Sequence, residues 1–145
     1  MRWLVLEEIL EICRGREART RSRVPSGTVS PETLMTEMMA QTAALVLGAE
    51  KDYADDLIFA KIQELAFTGD FAAGDFLEIT AFSDQLREEG AWFECSVSGP
   101  SGKIAGGKIL LMNVGHLVPG RAEPVTFHKA FMDHFSVRLY LGEEA

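Results

Sequence analysis

The sequence is poor in cysteine and histidine, and this shortage excludes disulfide-built and zinc-built domains. Among its 145 residues there are only two cysteines and three histidines. Cys13 and Cys95 form no close-spaced pair, and no zinc-ligand spacing links them to the histidines. The histidines are His116, His128 and His134. The sequence therefore predicts no metal site and favours a reducing, cytoplasmic location.

Long apolar runs and excess positive charge are also missing. No apolar run reaches the roughly 20 residues of a membrane-spanning helix. Glu7 and Glu8 come too early for a signal peptide, so we expect neither a signal peptide nor a membrane partner. A formal net charge of -8 disfavours a general nucleic-acid binder. Because 47% of the residues are hydrophobic, the chain has enough apolar side chains for one globular domain, and nothing in it calls for a cofactor.

The clearest predicted element is a helix that is apolar on nearly every side. Ser30 is a good N-cap, Pro31 suits the first helical position, and Glu32 suits the positive end of the helix dipole. The run from Thr33 to Leu47 is rich in Met, Ala and Leu, and Gly48 predicts its end. A helix with no polar face is a buried helix, so a sheet must wrap around it.

The rest of the chain predicts that sheet, and the fold class is α+β. Alternating segments separated by short turns indicate antiparallel strands, although the first segment also fits a short helix. The predicted strands are residues 3–13, 18–24, 57–67, 76–86, 91–98 and 103–113. We expect residues 1–115 to form the domain and residues 116–145 to form an extension. A helix predicted from Pro124 to Tyr140 would pack this extension on the sheet or on a partner.

Glu37 is a carboxylate in the middle of the apolar helix. Burial there would raise its pKa and let it hold a proton near neutral pH, as a general acid must. Gln41 lies one turn further along the same helix face and could orient the carboxyl group. The alternative is that Glu37 reaches a basic partner or lies on the one solvent-facing edge of the helix.

The segment around this helix resembles the signature of the hot-dog-fold 3-hydroxyacyl-(acyl-carrier-protein) dehydratases. That signature is His-Phe-Pro-Gly, a Pro-Gly-x-Leu helix start, and Glu-x-x-Ala-Gln. The matching residues are Pro25, Pro31, Leu34, Glu37, Ala40 and Gln41. The later Gly74-Asp75-Phe76-Leu77 is similar to a second family motif. The resemblance covers roughly residues 3–113 and implies one long helix wrapped by an antiparallel sheet.

The resemblance also implies a catalytic site. Glu37 would protonate the leaving 3-hydroxyl group, with Gln41 beside it, and a backbone N–H at the helix start would polarise the thioester carbonyl. Substrate-binding residues would be Val29, Pro31, Glu32 and Met38. The implied partner is an acyl carrier protein or a coenzyme A thioester.

One catalytic residue of the family is replaced in this sequence. Arg23 stands at the position of the histidine that removes the α-proton, and Ser26 and Glu32 replace two glycines of the signature. A guanidinium stays protonated, so Arg23 cannot act as the base.

Several explanations of the missing base stay open. One of the three histidines could reach the site, or a partner subunit could supply the base. The chain could also bind thioesters without dehydrating them, or hydrolyse them as a thioesterase. Because the family pairs an open sheet edge with a second copy, we expect a dimer or larger, either a homodimer or a heterodimer with a histidine-bearing subunit.

Five arginines lie within ten positions, in an otherwise acidic protein. They are Arg14, Arg16, Arg19, Arg21 and Arg23. The first four could dock an acidic carrier protein. Alternatively, the arginines pair with Glu7, Glu8 and Glu11 across the sheet, or guard a strand edge.

Overall fold

The computed structural model describes residues 5–24, 26–27 and 29–142, and within them six strands form one antiparallel sheet. In chain order the elements are β1 (Glu8–Cys13), β2 (Glu17–Arg23), α1 (Pro31–Ala49), β3 (Asp56–Phe67), β4 (Phe76–Arg87), β5 (Gly90–Gly99), β6 (Gly102–Gly115), α2 (Lys129–Phe135) and α3 (Val137–Tyr140). The strand order is β1-β2-β4-β5-β6-β3, so β1 and β3 are the two edges. This arrangement confirms the predicted α+β class and the antiparallel meander.

The core lies between α1 and one face of the sheet. Alternate residues of β5 face the helix and are buried, from Ala91 through Phe93 to Val97, as the period of two in a strand requires. On the helix, Met35 and Met39 have no exposed surface. The predicted wrapping of an apolar helix by a sheet is therefore confirmed, since α1 packs against the strands along its length.

The helix does not end where the sequence predicts. It continues through Gly48 to Ala49. The glycine at position 48 is needed because two aromatic rings pack against its backbone, and not because the helix ends there. A Cβ at Gly48 would lie 2.6 Å from the ring of Phe127 and 2.7 Å from the ring of Tyr53. Both rings are buried, and Tyr53 also donates its hydroxyl to the carbonyl oxygen of Leu45 at 2.7 Å.

The first strand is shorter than predicted. It occupies Glu8–Cys13, and residues 3–4 of the predicted strand lie outside the described residues.

The predicted helix from Pro124 to Tyr140 is wrong. Two short helices stand in its place, separated at Ser136, whose φ of 50° is left-handed. The residues before them are irregular, and α2 begins only after His128, whose Nδ1 accepts from the N–H of Phe131 at 3.0 Å. The spacing of the aromatic residues fits a helix. The residues before α2 are not helical, because their backbone is held by hydrogen bonds to Asp56.

Asp56 is a buried carboxylate that holds both ends of the segment 117–126. Its Oδ2 accepts from the N–H of Leu117 at 2.9 Å, and its Oδ1 accepts from the N–H of Thr126 at 2.7 Å. The side chain of Thr126 in turn accepts from the N–H of Leu57 at 3.1 Å. Burial alone would raise the pKa of Asp56, but these donors outweigh it and leave the pKa below its ordinary value. The extension is thus fastened to the start of β3.

We predict that Asp56→Asn destabilises the protein by about 1–3 kcal/mol, because the amide turns a donor toward a backbone N–H and leaves it unsatisfied. Urea unfolding measures the loss, and hydrogen exchange should locate it at Leu117 and Thr126. The exposed Asp70→Asn serves as the matched control and should leave stability nearly unchanged. Wild-type stability and unchanged exchange in Asp56→Asn would show that the segment does not depend on this carboxylate.

Candidate functional site

Glu37 lies on the one partly exposed edge of α1. Its neighbours Leu34 and Met38 are buried, while Glu37 and Gln41 are half-buried. Gln41 donates its Nε2–H to Oε1 of Glu37 at 3.1 Å, as the predicted spacing of one turn allows. Burial raises the pKa of Glu37 above its ordinary value, and the hydrogen bond from Gln41 opposes part of that rise. The site thus places a carboxyl group with a raised pKa at the surface of the core.

Val5 also belongs to this site, although no sequence pattern predicts it. The backbone N–H of Val5 donates to Oε1 of Gln41 at 3.3 Å. A backbone donor carries no side-chain signature, and no residue pattern would have identified it. The Oε1 of Gln41 thus accepts from Val5, and its Nε2 donates to Glu37.

The start of α1 adds backbone donors to the same edge. Ser30 caps the helix, and its Oγ accepts from the N–H of Thr33 at 3.2 Å. Pro31 and Glu32 occupy the first turn, and Val29 before them is 37% exposed. Glu37 lies roughly 9 Å further along the helix axis than Pro31. The positive end of the helix dipole and the carboxyl group are therefore within the length of one small ligand.

Arg23 lies on the other face of the sheet from this edge. In β2 the residues Ala18, Thr20 and Ser22 are buried toward α1, so the alternate residue Arg23 points outward. Its guanidinium lies 3.5 Å from the carboxylate of Glu7 and 4.5 Å from the ring centre of Phe76.

The structure therefore does not bring Arg23 together with Glu37 in one chain. Of the residues flanking it in the predicted signature, Pro25 and Thr28 lie outside the described residues.

The three histidines belong to the extension. His116 lies 3.9 Å from Asp55, His128 caps α2, and the ring of His134 is 4.7 Å from that of Phe135. Phe127, next to His128, packs on Gly48, which is roughly 16 Å along the helix axis from Glu37. The extension thus covers the far end of α1, and these contacts bring no histidine to the carboxyl group.

The clustered arginines make ion pairs across the sheet. Two of them face glutamates of β1 in register, Arg19 with Glu11 at 2.9 Å and Arg21 with Glu8 at 2.5 Å. A third, Arg23, lies 3.5 Å from Glu7, the residue before β1. Arg14 instead donates to the carbonyl oxygen of Ala49 at 2.9 Å, and Arg16 stacks over Phe82 at 5.6 Å. The pairing alternative for the arginines is therefore what the structure contains.

The described residues form neither a metal site nor a membrane span. No three histidine, cysteine, aspartate or glutamate side chains in this part of the chain are grouped closely enough to hold a metal ion. None of its helices is both long and apolar enough to cross a bilayer.

Comparison with solved structures identifies the architecture as the hot-dog fold, with α1 as the wrapped helix. The dehydratase heterocomplex ApeI:P from Xenorhabdus doucetiae is 17% identical with a TM-score of 0.64, over 76% of this chain and 82% of that one. The PaaI protein of the E. coli phenylacetic acid degradation operon is 12% identical with a TM-score of 0.62, over 74% and 79%. A hypothetical thioesterase with coenzyme A from Streptococcus pneumoniae is 12% identical with a TM-score of 0.60, over 74% and 85%.

No family model matches the chain, and no curated protein matches it either. At these identities the solved structures establish the fold alone. They include both a dehydratase complex and thioesterases, so the chemistry has to be argued from the residues of this chain.

We predict that Glu37→Gln gains stability relative to the wild type as the pH rises. The folded wild type holds the proton of Glu37 more tightly than the unfolded chain, so its stability falls as the pH rises from the ordinary glutamate pKa through the raised one. A glutamine escapes this loss and can still accept from Gln41. Urea unfolding over a pH series measures the difference between the two proteins.

The matched control is Glu32→Gln, which removes an exposed carboxylate from the first turn of the same helix. It should show no comparable gain at high pH. A constant difference between Glu37→Gln and the wild type at every pH would contradict the raised pKa.

Proposed function

We propose that this chain binds an acyl thioester beside α1 and acts as a 3-hydroxyacyl thioester dehydratase-like protein, with Glu37 as its acid. The observation that carries this proposal is the half-buried carboxyl group of Glu37, whose pKa is raised by burial and which is held by Gln41. A carboxyl group with a raised pKa holds its proton to higher pH than an ordinary glutamate and can give it to a leaving group.

In the proposed reaction, the proton of Glu37 passes to the 3-hydroxyl group as the bond from carbon 3 to oxygen breaks, and water leaves. The backbone N–H of Glu32, the first-turn donor that the Ser30 cap does not use, polarises the thioester carbonyl, which makes the α-proton easier to remove. Val29, which is exposed just before the helix, offers apolar surface to the acyl chain, and the buried Met38 lies next to Glu37 behind it. The α-proton must pass to a separate base.

No described residue that could act as the base lies beside Glu37. Arg23 is permanently charged, points away from α1 and is engaged with Glu7 and Phe76. This favours a second candidate function, a thioester-binding subunit of a heteromeric dehydratase whose other subunit carries the histidine. The heterocomplex among the solved structures shows that a dehydratase of this fold can be built from two chains.

A second chain has a suitable place to bind at β3. This edge strand pairs with β6 on one side only, and residues on both of its faces are exposed. Ile58 is 38% exposed on the outer face, and Ile62 is 46% exposed on the face toward α1. An open edge with exposed apolar side chains favours pairing with another strand. We infer a dimer or larger assembly formed through β3.

The donor of the thioester would be an acyl carrier protein or coenzyme A. Docking of an acidic carrier by Arg14, Arg16, Arg19 and Arg21 stays a proposal. Arg19 and Arg21 are about half exposed and already paired with glutamates, so a carrier would have to compete with those pairs. Arg16, stacked on the exposed ring of Phe82, is the most direct of the four to test.

We predict that the chain alone binds 3-hydroxyacyl-pantetheine but hydrates a 2-enoyl thioester slowly, since loss of a general base typically costs about 10²–10⁴-fold. Glu37→Gln should remove the remaining rate and keep binding. Calorimetry and ultraviolet absorbance of the enoyl thioester measure the two effects. Asp70→Asn, which removes an exposed carboxylate outside α1 and β3, is a control for net charge alone.

Each outcome of that experiment separates the candidate functions. Binding with no turnover at all supports the subunit role, and thiol release would support a thioesterase. Fast hydration that survives Glu37→Gln, or no binding by any variant, would contradict the proposal.

We predict that the chain is a dimer or larger and that Ile62→Lys shifts it to a monomer of about 16 kDa, because a charge would be buried at the strand edge. Light scattering at micromolar concentration measures the mass. Lys103→Glu, an exposed charge change on β6, is the matched control and should remain assembled. A monomeric wild type would contradict pairing through β3.

A further inference from the structure

The outer face of the sheet has an apolar patch where β5 begins and β6 ends. In the antiparallel pairing Trp92 lies opposite Leu110, and Gly90 lies opposite Met112. Leu111 between them is buried toward α1, so Leu110 and Met112 face outward together with their partners. The three large side chains of this patch are only partly exposed. They form an apolar floor on a face whose other strands carry paired charges.

A cleft of about 310 Å³ opens above this floor, and we call it the outer cleft. Gly90 lets the side chain of Met112 lie close against the strand, because a Cβ there would lie 2.7 Å from its Sδ. The polar rim of the cleft consists of Gln85, Arg87 and Glu89. Ligand pockets usually measure about 300–1,000 Å³, so the outer cleft has room for one small molecule.

A β-bulge in β4 brings Arg87 to the outer cleft. Asp84 and Arg87 are three positions apart, whereas their partners on β5 are only two positions apart. In an unbroken strand Leu86 would share the outer face with Asp84. The extra residue instead turns Leu86 to the core, where it packs, and places Arg87 on the outer face opposite Gly90. Bulges re-aim side chains in this way next to functional sites.

Two donors at the outer cleft are unused in the described part of the chain. The side chain of Arg87 makes no ion pair or hydrogen bond there, whereas the arginines of β2 are paired with glutamates. The indole N–H of Trp92 also has no partner among these residues, and it is not buried. A hydrogen bond with Glu88 raises the pKa of Lys51, and the charge of Glu89 adds to this rise, so a nearby cation partly offsets Glu89.

We propose that the outer cleft binds a small aromatic carboxylate. The ring lies on Trp92, Leu110 and Met112, because a flat ring makes the most contact on a sheet surface and a methionine sulfur contacts aromatic rings favourably. The carboxylate accepts from Arg87, whose planar guanidinium matches two carboxylate oxygens. This site is on the opposite face of the sheet from Glu37, so it is separate from the proposed thioester site.

The experiment is a titration of the intact protein with 3-phenylpropanoate at neutral pH, followed by NMR. The reporters are the indole N–H of Trp92 and the methyl group of Met112, while the methyl group of Met38 reports on the other side of the sheet. Two further compounds each change one property. The alcohol 3-phenylpropan-1-ol lacks the charge, and 3-cyclohexylpropanoate lacks the aromatic ring.

We expect saturable shifts at Trp92 and Met112 and none at Met38. A ligand of this size should bind with a dissociation constant of roughly 1 mM. The alcohol should bind about five- to tenfold more weakly, since it lacks the charge-assisted hydrogen bonds. The cyclohexyl compound should bind about two- to tenfold more weakly, since it lacks the aromatic contacts.

Two variants test the contacts of the carboxylate. Arg87→Gln should weaken binding of 3-phenylpropanoate about five- to tenfold and leave the affinity for the alcohol unchanged. Leu110→Glu, which puts a negative charge on the apolar floor, should abolish binding. The matched control is Lys103→Gln, which removes an exposed cation roughly 23 Å from Leu110 along β6 and should bind as the wild type does.

Four results would overturn the inference. Equal affinity for the carboxylate and the alcohol, or for Arg87→Gln and the wild type, would contradict recognition of the carboxylate by Arg87. Equal affinity for the cyclohexyl compound would contradict selection of an aromatic ring. Shifts at Met38 without Met112, or no shifts up to about 10 mM ligand, would contradict the outer cleft as the site. None of these outcomes bears on the thioester assays, because the two sites lie on opposite faces of the sheet.

Discussion

Burial of α1 is the constraint on which the other features of the structure depend. Twelve of its nineteen residues are buried, and most of them are apolar. Removing that surface from water stabilises the fold by roughly 25 cal/mol for each Å² of apolar area, but only if a sheet covers the helix. The sheet must therefore curve around α1 with one apolar face, and one edge of the helix is left for polar groups. Glu37 and Gln41 occupy that edge.

The same constraint separates the charges of the protein. Residues of β2 alternate between the two faces, so its arginines cannot face the helix and instead meet glutamates of β1 on the outer side. Exposed pairs of this kind each contribute about 0–1 kcal/mol to stability, so their main effect is to neutralise a dense local charge. The carboxyl group of Glu37 is left in a setting where burial, and not a nearby cation, determines its pKa.

Much of the fold follows from patterns in the sequence. Strict alternation predicted the strands, and an all-round apolar run with a Ser-Pro start predicted α1, because these elements are set by local periodicity. The end of α1 could not be predicted in this way. The glycine at position 48 is required by contacts with the rings of Phe127 and Tyr53, which lie outside the helix. The prediction of a single helix in the extension was wrong for a similar reason. The backbone of this segment is held by hydrogen bonds to Asp56, which is distant in sequence.

The candidate site was partly readable from the sequence. The spacing of Glu37 and Gln41 within one helix was enough to predict their hydrogen bond, which depends only on helix geometry. Alternation in β2 also indicates that Arg23 and Ser22 lie on opposite faces of the sheet. The family resemblance aligns Arg23 with a catalytic histidine but does not say on which face of the sheet Arg23 lies. The contact of Val5 could not be predicted from the sequence, because it is made by a backbone N–H group, which every residue except proline has.

The most direct test of the account is to find where an acyl thioester touches the protein. Three of the six methionines, Met35, Met38 and Met39, lie on α1, and Met112 lies on β6 facing the outer side of the sheet. Methyl spectra of ¹³C-labelled methionines, recorded during titration with 3-hydroxydecanoyl-pantetheine, distinguish these positions. The account predicts that Met38, next to Glu37, shifts first and that Met112 does not move. Shifts at Met112 alone, or none at α1 at saturating ligand, would contradict a thioester site beside Glu37.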